Sequence, residues 1–222
     1  MCIRDRDEPT DIAVDRPPFV ALLANGTSGD INNINFREPR PRKQPYEQMR
    51  FVADDVAAKV NAQLSKLEYR RDIALDTRYE EPELKWRRPT DEELKWAKET
   101  LETHPDVPGK TDLSRVYAER VMNLFDLPET TPVPLQVLRI GDARIATMPC
   151  EVFCEIGLEF RIRSTAPRPW MVSIAHGYMG YLPTPAQHEL GGYETWIGTN
   201  RLEREASVKM LDRLVEMANS LK

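Results

Sequence analysis

Two side chains in unusual local settings, Glu151 and Tyr181, are the first candidates for chemistry in this sequence. Glu151 follows Pro149-Cys150 at the end of a β-type run, and Tyr181 lies in the turn sequence Gly180-Tyr181-Leu182-Pro183-Thr184. A carboxylate at a strand end and a tyrosine in such a turn can converge on one metal ion. Both residues also have plain structural interpretations, Glu151 as the cap of the helix that follows and Tyr181 as a packing residue.

Further polar candidates lie in two loops. His176 opens a long loop after an apolar run, and histidine is a common zinc ligand and acid–base group, although a lone histidine is more often structural. Gly29 and Asp30 lie in a loop of small residues, a setting in which backbone N–H groups approach an anion closely. The sequence contains no H-E-x-x-H motif, no G-x-S-x-G elbow and no P-loop.

The cysteines do not indicate a disulfide framework. Their number is odd, and they are Cys2, Cys150 and Cys154. The spacing of Cys150 and Cys154 allows them to share one face of a helix, as two buried thiols or as a metal pair. We favour two buried thiols, because no second Cys/His pair has the spacing of a zinc finger.

The elements that must position these residues alternate between strands and helices, which predicts an α/β fold: a layered mixed sheet flanked by helices. The apolar run 19–24 predicts a buried strand, residues 135–148 a hairpin, and residues 170–175 a second buried strand. A capping box at Thr90 predicts a helix to about residue 102. Residues 176–199 predict a long loop. Apolar residues at three- or four-residue spacing predict the other helices. One of these helices has the apolar face Met49, Val52, Val56, Val60, Leu64 and Leu67.

Composition limits the classes of function. The chain has 222 residues, 41% of them hydrophobic and 30% charged, which is typical of a soluble globular protein. The net charge of −5 argues against nucleic acid as the main partner, and no apolar run is long enough for a transmembrane segment. The charged start of the chain lacks the apolar centre of a signal peptide, and we expect residues 1–17 to be a non-native or disordered segment.

Three segments, in this order, resemble the neutral/alkaline non-lysosomal ceramidase family. The first is the loop from Asn25 through Gly29-Asp30, where the family has Gly-Asp-Val-Ser-Pro-Asn. The second is Met148-Pro149-Cys150-Glu151, where the family has Pro-Gly-Glu or Pro-Ala-Glu between a strand and a helix. The third is Gly180-Tyr181-Leu182-Pro183-Thr184 followed by Gly192-Tyr193-Glu194. The resemblance implies that residues 18–222 are the C-terminal part of a ceramidase-like catalytic domain. It therefore implies an incomplete domain.

The resemblance implies a zinc-dependent hydrolase of amide bonds, which in this family releases fatty acid from a sphingoid base. Two histidines, a glutamate and a tyrosine hold the zinc in the family, and the last two correspond to Glu151 and Tyr181. The resemblance also implies catalytic roles for Asp30 and Asn32, and substrate contacts for Gly29, His176 and Tyr193. It implies further that the substrate is a small-molecule or lipid amide and that the full-length protein is secreted or periplasmic.

Two departures from the family pattern leave the function open. The two histidine ligands of the family lie upstream of the Gly-Asp loop, where this sequence has no histidine. The key serine of the family corresponds to Asn32, whose amide can bind a substrate but cannot act as a nucleophile. The sequence therefore predicts either a fragment of a zinc amidohydrolase or a non-catalytic relative that acts as a binding or structural module.

Overall fold

The computed structural model describes residues 2–3, 21–38 and 43–221. It divides the chain into two units, a larger one formed by Met1–Ile31 with Leu75–Lys222 and a smaller one formed by Asn32–Ala74. The four candidate residues from Glu151 to Tyr193 and the Gly29-Asp30 loop belong to the larger unit, whereas Asn32 begins the smaller one. Most of residues 1–17, for which we predicted a non-native or disordered segment, lie outside the described residues.

The described part of the chain contains six α-helices and one short 3-10 helix at Tyr193–Thr195. The α-helices are α1 (Glu47–Leu64), α2 (Asp91–Thr103), α3 (Leu113–Phe125), α4 (Cys154–Arg163), α5 (Pro185–Leu190) and α6 (Ala206–Ser220). The strands are β1 (Cys2–Ile3), β2 (Ala21–Leu22), β3 (Leu75–Glu80), β4 (Glu83–Lys85), β5 (Thr130–Pro132), β6 (Leu135–Ile140), β7 (Ala143–Thr147), β8 (Glu151–Val152), β9 (Arg168–Val172) and β10 (Tyr181–Leu182).

A mixed sheet of four strands organises the larger unit and confirms the predicted α/β fold. Its strand order is β3-β6-β7-β9, with β3, β6 and β7 antiparallel and β9 parallel to β7. The chain returns from β7 to β9 through α4, as a parallel pair requires. Helix α6 packs on β6 and β7 beside α4. The predicted hairpin at residues 135–148 is the β6–β7 pair.

The main core lies between this sheet and helices α4 and α6. Val137 and Ala146 project from the sheet, and Phe160 and Leu214 from the helices, all with no exposed surface. Each large aliphatic or aromatic side chain buried in this way stabilises the fold by about 1.5–3 kcal/mol. The core therefore gives a rigid base to Glu151, which lies between β7 and α4 in the chain.

A second, smaller core joins α2 to α3. Ala97, Ala118, Val121 and Leu124 are buried there together with Ile197 from the segment after the 3-10 helix. The predicted capping box at the start of α2 is confirmed, since Thr90 Oγ1 accepts a hydrogen bond from Glu93 N and Glu93 Oε2 accepts one from Thr90 N. Packing of α3 against Ile197 brings the helix beside the loop that carries Tyr181.

Two sequence predictions about burial and one about a long loop are wrong. Leu22 and Leu23, predicted in a buried strand, are exposed, because β2 pairs with β1 and lies outside the four-stranded sheet. Trp170 on β9 is 63% exposed, because alternate residues of an edge strand point away from the covered face of the sheet. The predicted long loop at residues 176–199 instead contains β10, α5 and the 3-10 helix.

The smaller unit contains α1, whose predicted helical periodicity is confirmed but whose apolar face is not buried. Met49 is 69% exposed and Val60 54% exposed, and α1 has no buried residue. The reason is that the described residues of the smaller unit contain no second helix or strand against which this face could pack.

Cys150 and Cys154 are free thiols. Cys150 is fully buried, which raises its pKa to about 12, and Cys154 is partly buried at the start of α4. Among the helices that the structure describes, none has the length and apolarity needed to cross a membrane.

The loop that precedes the smaller unit docks on β8 and α4. Gly29 N donates a hydrogen bond to Val152 O (2.8 Å), and Asp30 Oδ1 accepts one from Cys154 N (2.7 Å). The residue before α4, Phe153, has no side chain that can cap the helix, so Asp30 supplies the cap from a distant part of the chain. A carboxylate in this position also interacts favourably with the helix dipole.

The close approach at Gly29 generates a first prediction. A Cβ atom at Gly29 would lie 2.5 Å from Glu151 O, whereas a Cβ atom at Gly26 would meet nothing within 4 Å. We expect Gly29→Ala to lower the free energy of unfolding by roughly 1–3 kcal/mol, because the loop must move away from the backbone of Glu151. Gly26→Ala is the matched control and should change it by less than about 0.5 kcal/mol. Urea denaturation followed by circular dichroism measures both, and equal stabilities would contradict the docking.

His188 on α5 generates a second prediction, on pH. Its Nε2 atom is buried without a hydrogen-bond partner among the described residues. Burial, with nearby Arg87 and Arg204, lowers the pKa of His188 from 6.5 to about 4. Between these values the unfolded chain binds more protons than the folded chain, so stability falls as the pH falls through this window.

We therefore expect the urea midpoint of the wild-type protein to fall more steeply between pH 6.5 and pH 4.5 than that of His188→Gln. The substitution removes the titrating group and keeps a polar side chain of similar size. Parallel slopes for the two proteins would show that His188 is not held in its neutral form by its surroundings.

Candidate functional site

The pairing of β8 with β10 places the two predicted metal ligands side by side. The strands are parallel, and in their register Tyr181 faces Glu151. Facing residues of neighbouring strands project to the same side of the pair, about 5 Å apart at their backbones. Glu151 N also donates a hydrogen bond to Gly180 O (3.0 Å). The structure thus brings together two residues that the sequence singled out separately.

The other edge of β10 is held by the segment after the 3-10 helix. Tyr181 N donates a hydrogen bond to Thr199 O (3.0 Å), and Asn200 Nδ2 donates one to Tyr181 O (3.1 Å). Asn200 is 1% exposed, so its amide is fixed in the interior. Gly180 adopts a positive φ of 83°, which a residue with a side chain rarely does. These contacts fix the direction in which the Tyr181 ring leaves the backbone.

Three tyrosines line the same cleft as the Glu151 carboxylate. Tyr178 Oη donates a hydrogen bond to Glu151 Oε1 (2.7 Å). Tyr181 Oη and Tyr193 Oη are 2.9 Å apart, and their rings meet edge to face with centroids 5.5 Å apart. Tyr193, which we predicted as a substrate contact, therefore lies within the site. Tyr178 was missed, although the sequence Tyr178-Met179-Gly180-Tyr181 places it in the same turn.

The surroundings raise the pKa of the Tyr178 and Tyr181 phenols. Burial raises the pKa of Tyr178 to about 12, with a further contribution from its hydrogen bond to Glu151. Burial also raises the pKa of Tyr181. The hydrogen bond to Tyr193 and the nearby Glu151 raise it further. A bound divalent cation would reverse this balance, because a metal ion is the largest local charge in a site and favours the deprotonated form of its ligands.

The carboxylate and the phenols line a cleft with a volume of about 480 Å³. The lining also includes polar and cationic side chains, since Arg120 and Asn123 reach the cleft from α3 and Arg201 from the segment after Asn200. Sequence reasoning missed both arginines. No local signal marks them, because they come from distant parts of the chain and meet only after folding.

A second cleft, of about 780 Å³, adjoins the first and shares Tyr117 as a wall. It is mainly apolar, and its lining includes Trp96, Leu113 and Trp196. The rings of Tyr117 and Trp196 meet edge to face with centroids 5.3 Å apart. The larger unit therefore offers a polar cleft next to an apolar one, a combination that suits a ligand with a polar centre and an apolar tail.

Of the remaining predicted residues, Gly29, Asp30 and His176 of the larger unit are not among the residues that line the cleft. Asp30 caps α4, and Gly29 lies behind Glu151, against its backbone. His176 is exposed, its Nε2 lies 2.9 Å from Thr147 Oγ1, and its ring meets Tyr79 rather than the cleft. In the smaller unit, Asn32 Oδ1 accepts a hydrogen bond from Ile34 N (3.2 Å). Catalytic roles for Asp30 and Asn32 stay predictions, as does a substrate contact for His176.

The donor set tests whether the described residues fit a metal. Glu151 and Tyr181 supply two oxygen donors that fit a hard or borderline cation. Within residues 2–3, 21–38 and 43–221, no group of three His, Cys, Asp or Glu side chains is arranged to hold a metal ion. Glu151 and Tyr181 therefore supply two oxygen donors, fewer than the three or four protein ligands that a zinc site needs.

Comparison with known proteins identifies a solved structure with a similar fold. No family model matches this chain, and no curated protein matches it either. The crystal structure of neutral ceramidase from Pseudomonas aeruginosa superposes on 91% of the chain with a TM-score of 0.59 and 17% sequence identity. A structure titled "Ceramidase complexed with C2" covers 42% of the chain with a TM-score of 0.37 and 21% identity.

The aligned regions make up 37% and 15% of those two solved chains, so the chain spans well under half their length. The larger superposition shows that the protein has a ceramidase-like fold, that of one part of neutral ceramidase from Pseudomonas aeruginosa.

Proposed function

We propose that this chain is part of a zinc-dependent amidohydrolase in which Glu151 and Tyr181 are two of the four metal ligands. The observation that carries the proposal is the register of β8 and β10, which sets a carboxylate beside a phenol at the wall of a cleft. The ceramidase-like fold supports it. By resemblance to ceramidases, two histidines from a segment upstream of the Gly29-Asp30 loop would complete the ligand set.

The chain's own residues have defined roles in this proposal. Glu151 contributes negative charge, and Tyr178 orients the carboxylate by donating to Oε1. Tyr193 holds the Tyr181 hydroxyl from the other side. Zinc, when bound, supplies a Lewis acid that polarises a carbonyl group and lowers the pKa of water. Outer contacts of this kind are important because they fix the orientation of the ligands.

The neighbouring clefts support a lipid amide as the substrate class. An amide group in the polar cleft lies beside Glu151 and Tyr181, and an acyl chain extends past Tyr117 into the apolar cleft. Burial of an acyl chain contributes about 0.8 kcal/mol for each methylene group.

A second candidate function is a non-catalytic relative that binds ligands without hydrolysing them. Asn32, at the position of the family's key serine, favours this alternative, because an amide cannot act as a nucleophile. The upstream sequence separates the two functions: two histidines there favour the enzyme, and their absence favours the binding module.

The metal site generates a third prediction. The test uses the protein extended upstream by its own coding sequence. Glu151→Gln and Tyr181→Phe should each lower its zinc affinity, because each removes a metal ligand. The loss should exceed the roughly 10–100-fold that follows when a residue contacting a ligand is replaced. Zinc content after dialysis measures the metal, and release of fatty acid from an N-acyl amide measures the activity. Full activity of the Glu151→Ala/Tyr181→Phe double variant would refute the proposal.

Glu159→Gln is the matched control for charge. Glu159 lies on α4, 49% exposed, and its nearest cation is Arg163 at 4.0 Å. Its replacement should leave zinc content and hydrolysis unchanged. The 222-residue chain alone should bind zinc weakly and show no hydrolysis, because it contains half of the ligand set. Zinc-dependent turnover by this chain alone would contradict that expectation.

A further inference from the structure

Two arginines line the polar cleft together with Glu151 and Tyr181. Arg120 comes from α3 and Arg201 from the segment after Asn200. Both side chains line the same cleft as the Tyr178 ring. Neither residue has a role in the proposed metal site.

Aromatic rings hold the two guanidinium groups. The Arg120 guanidinium lies over the ring of Tyr117 at 5.0 Å from its centroid, and that of Arg201 lies over Trp86 at 5.4 Å. Arg120 Nη1 also lies 3.4 Å from Thr199 Oγ1. Stacking orients a planar guanidinium while leaving hydrogen-bond donors at its edge available. The aromatic rings therefore orient both arginines without neutralising their charge.

The charges in the cleft do not balance. Within the described part of the chain, neither Arg120 nor Arg201 forms a salt bridge, and Glu119, the acidic neighbour of Arg120, pairs instead with Arg115 (2.9 Å). Glu151 is the single acidic side chain among the described residues that line the cleft. Two positive charges against one negative charge leave an excess that an oxyanion can compensate.

We propose that Arg120 and Arg201 form an oxyanion-binding subsite beside the Glu151–Tyr181 pair, which takes a carboxylate or phosphate group carried by the substrate. Arginine is well suited to this, because its fork of N–H donors matches the oxygens of both groups. The subsite selects an amide with an anionic headgroup over a neutral one. The amide part of this statement rests on the proposed function, whereas the oxyanion part rests on the two arginines alone.

The test compares two ligands that differ in charge. Binding of N-octanoylglycine and its neutral analogue N-octanoylethanolamine is measured by calorimetry at low salt, below micelle formation and with a chelator present. The wild-type protein should bind the glycine conjugate at least about tenfold more tightly, as one charge-assisted hydrogen bond allows. Inorganic phosphate should compete with it, and 0.5 M sodium chloride should weaken its binding because salt screens exposed charges.

Variants assign the effect to the cleft. Arg120→Gln/Arg201→Gln should remove the preference for the glycine conjugate and leave binding of the ethanolamide unchanged. Arg161→Gln, which removes an exposed positive charge from α4, is the control and should behave like the wild type. Equal affinity for the two amides in the wild type, or an unchanged preference in the double variant, would overturn the proposal. Binding of phosphate without binding of the glycine conjugate would overturn the assignment to a substrate group.

The chelator separates this inference from the proposed function. Loss of the anion preference in the double arginine variant is measured without metal and without turnover. A protein that never binds zinc but binds the glycine conjugate through Arg120 and Arg201 would refute the hydrolase and retain the subsite. A zinc-dependent hydrolase with no charge preference would do the reverse.

Discussion

The short parallel pairing of β8 with β10 is the interaction on which the site depends. Each strand has two residues, too few to be stable alone, so neighbouring structure must hold both. Met148 and Cys150, which lead into β8, are fully buried in the main core, and β10 is bonded along its other edge to Thr199 and Asn200. The packed core and the folded loop together set Glu151 beside Tyr181.

The same geometry explains how one cleft carries opposite charges. The backbone contacts of β10 fix the rings of Tyr178 and Tyr181 near the Glu151 carboxylate, and burial raises the pKa of both phenols. The cationic side chains come from α3 and the segment after Asn200, which meet because Ile197 packs in the smaller core. One carboxylate and two guanidinium groups thus line a single cleft.

Local signals in the sequence predicted the elements well and their burial less well. The capping box at Thr90 and the apolar repeat of α1 concern neighbours within one helix, so they could be recognised directly. Leu22 and Trp170 are apolar in sequence yet exposed in the structure, since burial depends on which strand or helix covers them. Elements brought together from distant parts of the chain decide that, and one sequence does not reveal them.

For the site, the sequence alone determined the residue types and the settings that singled out Glu151, Tyr181 and Tyr193: a carboxylate before a helix, and tyrosines in turns rich in glycine. Only the tertiary structure decided that these residues meet, that Asp30 caps α4, that His176 turns to Thr147, and that Arg120 and Arg201 complete the cleft. The physical reason is that turns and caps arise from contacts along the chain, whereas a site arises from strand register and core packing between distant segments.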